Sequence, residues 1–151
     1  MTIEAPPPPP PPQATKVNEC AYPNVKKPWR VDNTCKAALD DVALKLQQDS
    51  DAKLVVVGNA DPSEKRKNLA GERAVDVKFY ISGGEAKQNI DASRIETRTG
   101  NAGTATSEQW IVPAGATFPE ADSTTPVDET KVLPIPDHPK PAAKKKAKKA
   151  Q

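Results

Sequence analysis

Few side chains in this 151-residue sequence are placed to do covalent chemistry. Its single histidine, His138, lies among prolines near the C-terminal end, and no serine or cysteine has a base beside it. With the only histidine in a tail expected to be disordered, no metal centre is expected either. Asp40 and Asp41 are adjacent carboxylates, but on a helix neighbouring side chains diverge by about 100° and cannot act as an acid–base pair. The expectation is a protein that is not an enzyme and needs no cofactor. The two cysteines, Cys20 and Cys35, leave two readings open. A disulfide would close a loop of about fifteen residues, contribute ~3 kcal/mol in the loop-entropy treatment, and require an oxidising compartment. Alternatively they are two buried thiols, since free cysteine is among the most buried residue types.

The elements that must position these residues occupy the middle of the chain. A first strand is expected near Val17 to Tyr22. Cys35, Ala38, Leu39, Val42, Ala43 and Leu46 recur at helical spacing, with Asp32 or Asn33 able to cap the first turn. Leu54-Val55-Val56-Val57-Gly58 is a continuous apolar run of the kind that fills a central strand. Ala70, Arg73, Ala74, Val77 and Ile81 mark a second helix, ended by Gly83-Gly84. Arg94 to Thr99 alternates as a strand, Asn101-Ala102-Gly103 turns the chain, and Gln109 to Val112 returns. The order β-α-β-α-β-β predicts an α/β fold, a two-layer sandwich in which both helices cover one face of a mixed sheet.

Composition divides the chain into three parts. Residues 1–15 form a proline-rich arm in which Pro6 to Pro12 run unbroken. Such a run favours an extended polyproline II rod of roughly 22 Å, a spacer rather than a ligand for a partner domain. Residues 16–117 form the folded domain. From Phe118 to Gln151 the chain is rich in Pro, Thr, Asp and Glu, then Lys and Ala, and is expected to be disordered. Six of the 22 basic residues lie in the last twelve positions, which leaves 16 against 20 acidic ones, about −4, for the rest. The folded domain therefore has no net basic charge with which to hold nucleic acid. The Lys-rich end suits either an anionic surface or plain solvation. No stretch approaches the ~20 apolar residues of a membrane-spanning helix. Met1 to Ala5 shows no basic segment leading into an apolar run, so no secretory signal is read there; the chain is either intracellular or a mature piece of something longer.

Val55-Val56-Val57-Gly58-Asn59-Ala60-Asp61, then Leu69-Ala70-Gly71-Glu72-Arg73-Ala74, then Ile90-Asp91-Ala92-Ser93-Arg94-Ile95 together resemble the OmpA-like C-terminal domain family over about Val17 to Val112. Asp32 to Leu46 also looks like the version in envelope proteins with variant OmpA-like domains. The resemblance implies non-covalent binding of peptidoglycan through the diaminopimelate of its stem peptide. It implies a periplasmic location associated with the outer membrane. The family's acidic residue falls on Asp61 and its helix arginine on Arg73; Asn59 and Arg66 are carried over as neighbours in the ligand site. The distal carbon of diaminopimelate bears an ammonium and a carboxylate, so one carboxylate and one guanidinium fork match it.

Several positions depart from the family. Its threonine before the acid is Ala60, its polar asparagine falls on Arg66, and Glu108-Gln109-Trp110 replaces an Asn-Arg-Arg. A structural or protein-interaction domain that has lost peptidoglycan binding is therefore the alternative. Asp61-Pro62-Ser63-Glu64 also reads as a helix start. A helix from there would separate Asp61 from Arg73 by about 18 Å. The absence of any apolar residue in Ser63 to Lys67 favours a loop, with the helix starting near Asn68. A direct Asp61–Arg73 ion pair is a third arrangement.

Overall fold

A computed structural model describes residues 12–24, 26–83 and 89–135. Its elements in chain order are β1 (Thr15–Ala21), α1 (Asn33–Gln48), β2 (Lys53–Gly58), α2 (Leu69–Ser82), β3 (Ile95–Thr99), β4 (Thr106–Val112) and β5 (Thr125–Pro126); a 3-10 turn at Ala92–Arg94 leads into β3. The strands form one mixed sheet in the order β1-β4-β2-β3-β5. β2 and β3 are parallel, as a crossover through a helix requires, and the other neighbours are antiparallel.

β2 is central, and its residues are buried on both faces because period-2 alternation sends them into two different cores. Leu54 and Val56 join Leu39, Val42 and Leu46 of α1 and Val77 and Ile81 of α2 in the main core. Both helices therefore lie on one face, giving the α/β two-layer arrangement. Val55 and Val57 face the other way, with Trp110 and Val112 of β4, and Phe118 closes over them. Asp32 caps α1, accepting from the Cys35 amide, and Gly83 follows the last turn of α2. Cys20 and Cys35 are joined, tying β1 to the first turn of α1. Of the two readings of these cysteines, the disulfide is the one present.

The expected boundary at residue 117 is corrected. Phe118 to Ile135 is part of the fold, although it is poor in large apolar residues. Phe118 meets Trp110 edge to face, with ring centroids 5.3 Å apart. The buried guanidinium of Arg98 donates to the carbonyls of Ala121 and Thr124 and to the Thr124 hydroxyl. β5 then extends the sheet along β3, and the Val127 amide donates to the Thr97 carbonyl. The Glu129 carboxylate accepts from Lys78 of α2 and from the Thr97 hydroxyl, while the Ile135 amide donates to Asp76 of α2. Specific polar bonds to groups already on the sheet and helix hold this segment, together with single apolar anchors, Phe118 on one core and Val127 on the other. The proline run as far as residue 11, Gly84, His138 and the Lys-rich end lie outside the described residues.

Two consequences are measurable. Opening the Cys20–Cys35 bond with reductant, or by Cys20→Ser with Cys35→Ser, should lower stability by about 3 kcal/mol, read from urea unfolding with and without the bridge. β2 runs so close to α2 that a Cβ on Gly58 would stand 1.8 Å from the Ala70 carbonyl oxygen. Gly58→Ala should therefore cost about 3 kcal/mol or more, and an unchanged melt would show that α2 can retreat without loss.

Candidate functional site

The turn after β2 carries Asp61-Pro62-Ser63-Glu64. Here one of the two bonds of a helix-capping box, from the Glu64 side chain back to the Asp61 amide, forms without a helix. Asp61 Oδ1 accepts from the Ser63 amide and hydroxyl, and the Asp61 amide donates to Glu64 Oε1 at 2.8 Å. The helix itself starts later. Asn68 adopts a left-handed conformation (φ 61°) and α2 begins at Leu69, in line with the loop expected from residues 63–67. Arg73 thus stands in the second turn of α2, pointing back at this loop.

Arg73 is fully buried, with no exposed surface. Its Nε donates to the Pro28 carbonyl at 2.9 Å and its Nη1 to the Asn59 carbonyl at 2.7 Å. Nη1 and Nη2 together grip the Glu64 carboxylate, at 2.9 and 2.6 Å. The guanidinium also lies over the Tyr22 ring, 4.8 Å from its centroid. Burial pushes the Tyr22 phenol well above its usual range, and its hydroxyl is bonded to Ser107. One cation therefore binds four chain segments: the end of β1, the β1–α1 connection, the end of β2 and the β2–α2 loop.

What meets Arg73 through Glu64 is the backbone amide of Asp61, while the Asp61 carboxylate is turned to Ser63. Glu64 Oε1 receives both the Asp61 amide and Arg73 Nη1, so a single oxygen is shared by the two predicted site residues. The direct Asp61–Arg73 ion pair is replaced by Glu64–Arg73. The Asp61 carboxylate is exposed, and its bonds from Ser63 hold it below the usual aspartate range. Arg73, bonded to both oxygens, holds the Glu64 carboxyl below its ordinary value; partial burial opposes this, and the Asp61 amide adds to the lowering.

The other two residues named from sequence are engaged elsewhere. The Asn59 side chain is buried and donates to Thr106 and Glu108 of β4, leaving only its backbone carbonyl on Arg73. Arg66 forms a two-pronged pair with Glu72 of α2 and stacks on Trp29, 4.3 Å from the ring centroid. A groove of ≈ 420 Å³ reaches Glu64 and Tyr22, walled by Pro23, Pro28, Lys65 and Leu69. Through it the Glu64 side chain remains 22% exposed, whereas Arg73 behind it is not exposed at all.

Glu64, Tyr22 and Pro28 were missed as site residues in the sequence. For Glu64 a signal existed, since the capping-box pattern aims its carboxylate back at the Asp61 amide. Nothing in local spacing pointed to Tyr22 or Pro28, which arrive from a distant part of the chain. No family model and no curated protein matches this sequence.

Because the folded pKa of Glu64 is lowered, the ionised carboxylate contributes stability above its unfolded value of ~4.3, and that contribution disappears as pH falls through the folded value. Glu64→Gln should then cost about 1.5–3 kcal/mol at pH 7. Its gap to the wild type should begin to narrow once pH falls below the unfolded value of ~4.3 and go on narrowing as pH falls further, as followed by urea unfolding from pH 7 into the acid range.

Proposed function

We propose that this chain is a cell-envelope module of the OmpA-like kind that binds peptidoglycan non-covalently, taking the diaminopimelate of the stem peptide at Arg73 and Asp61. The observation that carries this reading is the convergence of the Asp61 amide and the Arg73 guanidinium on one carboxylate oxygen. Bidentate guanidinium plus a backbone amide is a strong and geometrically selective receptor for a carboxylate. In this reading the Asp61 carboxylate, bonded within the chain only to Ser63, takes the ammonium on the same carbon. The Cys20–Cys35 bridge supports an oxidising compartment such as the periplasm. In this reading the proline-rich arm is a spacer, and the Lys-rich end adds loose attraction to an anionic surface.

A second reading is favoured by a different observation. Arg73 is wholly buried and makes four internal hydrogen bonds, which is how a purely structural arginine would look. In that case the domain keeps the fold and serves as a structural or protein-interaction module.

Titration of the labelled full chain with a diaminopimelate-containing muropeptide separates the two. The wall-binding reading expects amide shifts concentrated between Gly58 and Arg73, weakened at least tenfold by Asp61→Ala, a replacement at an exposed position that leaves Arg73 paired. Silence across that stretch at millimolar muropeptide would favour the interaction module.

A further inference from the structure

The fork of Arg73 and the Asp61 amide form a carboxylate receptor that is already filled. Its occupant comes from the same loop, only nine residues before the arginine in the chain. The receptor's far side is closed by the carbonyls of Pro28 and Asn59 and by the Tyr22 ring, so among the described residues no second route to the guanidinium is seen. On the near side stands Glu64 alone, partly exposed to a groove with two prolines and a leucine in its walls.

We propose that Glu64 is an intramolecular ligand of this site, an occupying carboxylate that an external carboxylate must displace to reach Arg73 and the Asp61 amide. The proposal rests on the wall-binding reading only for the identity of the external ligand. The receptor and its occupant stand on geometry alone.

A tethered carboxylate acts at an effective concentration in the millimolar range or above, with its orientation already set. A small free carboxylate has only the fork to bind and cannot compete with it. A ligand that also fills the groove gains contacts that Glu64 lacks, and those contacts decide which carboxylates are admitted. Apparent affinity in the wild type is the intrinsic affinity reduced by the fraction of molecules in which Glu64 has swung out. Glu64 thus sets both the strength and the selectivity of the site. Its displacement leaves no stray charge in the core, because the loop at residues 62–67 is exposed enough to carry the released carboxylate into water. Arg73 is paired with a carboxylate both before and after the exchange, and the open state between them is kept rare because an uncompensated buried cation is strongly destabilising.

The test uses the full chain with Glu64→Ala, which empties the receptor while leaving its donors in place. Acetate, the smallest carboxylate, should raise the melting temperature of this variant in a saturable manner. Chloride at equal ionic strength should not, and acetate should leave the wild type unmoved. Absence of acetate rescue overturns the proposal. In a second arm, a diaminopimelate muropeptide should bind Glu64→Ala at least tenfold more tightly than wild type. The same muropeptide with lysine in place of diaminopimelate, which lacks the distal carboxylate, should show no gain. Equal binding by wild type and variant would overturn the occupant role while leaving the wall-binding reading intact. Acetate rescue with no muropeptide binding by either protein would uphold the occupant and remove the wall as its ligand source. If Glu64→Ala fails to fold, Glu64→Gln serves in the muropeptide arm: its amide offers Arg73 one acceptor instead of two, and tighter binding than wild type is again the supporting result and equal binding the overturning one.

Discussion

A guanidinium without solvent contact must find its partners inside the protein, and the Arg73 cation imposes that demand on the surrounding chain. Its satisfaction dictates where the β1–α1 connection passes, where β2 ends and how the next loop folds back. Two of its partners are backbone carbonyls, which any residue type could supply. The third is a carboxylate, which only an acid can supply. That distinction separates the parts of the site that can drift in sequence from the part that cannot. The Asp61-Pro62-Ser63-Glu64 turn is the device that delivers the acid at the right height. Its local bonds restrict the turn independently of α2, which lessens the conformational freedom the ion pair alone must hold.

The sheet is asymmetric in how it is covered. Helices bury one face with aliphatic side chains, while the other is closed by one phenylalanine and a segment held by polar bonds. Arg98 does for that segment what Arg73 does for the β2–α2 loop, collecting carbonyls that would otherwise lack partners. Arg94 repeats the device a third time, donating to the carbonyls of Leu46, Asp49 and Ala52 where α1 ends and β2 begins. In a chain with only six aromatic residues, arginine forks take over part of the organising role that large apolar side chains play elsewhere.

Much of the architecture was legible because it is local. The stripe from Cys35 to Leu46, the run at Leu54 to Gly58 and the glycine after Ser82 each announce an element through spacing that only nearby residues determine. The start of α2 was legible for a negative reason, the lack of apolar residues in 63–67, and the left-handed Asn68 is what enforces it. Phe118 to Ile135 was misread because its stabilising partners lie far away in sequence. Thr124 matters only because Arg98 is present, and Glu129 only because Lys78 and Thr97 are. Of the buried cluster, the sequence pointed to Arg73 through the resemblance, but the acid that pairs with it lay in a loop segment whose side-chain partners were not read. Asn59 and Arg66 look equally suited to a ligand in one dimension; only in three dimensions do Glu108 and Glu72 claim them.

The strands that receive and release the chain lie at opposite margins of the sheet, β1 at one and β5 at the other. A pull on the two ends of the domain would therefore load the sheet across its width. The seven-residue β1 is stitched covalently to α1, whereas β5 is a two-residue strand held by a handful of polar bonds. Under tension the C-terminal segment would peel away first, baring Phe118, Trp110 and Arg98, while the four-strand body and its buried cation stayed whole. The two margins of the sheet thus differ in how firmly they are fastened, one by a disulfide and the other by a two-residue ladder.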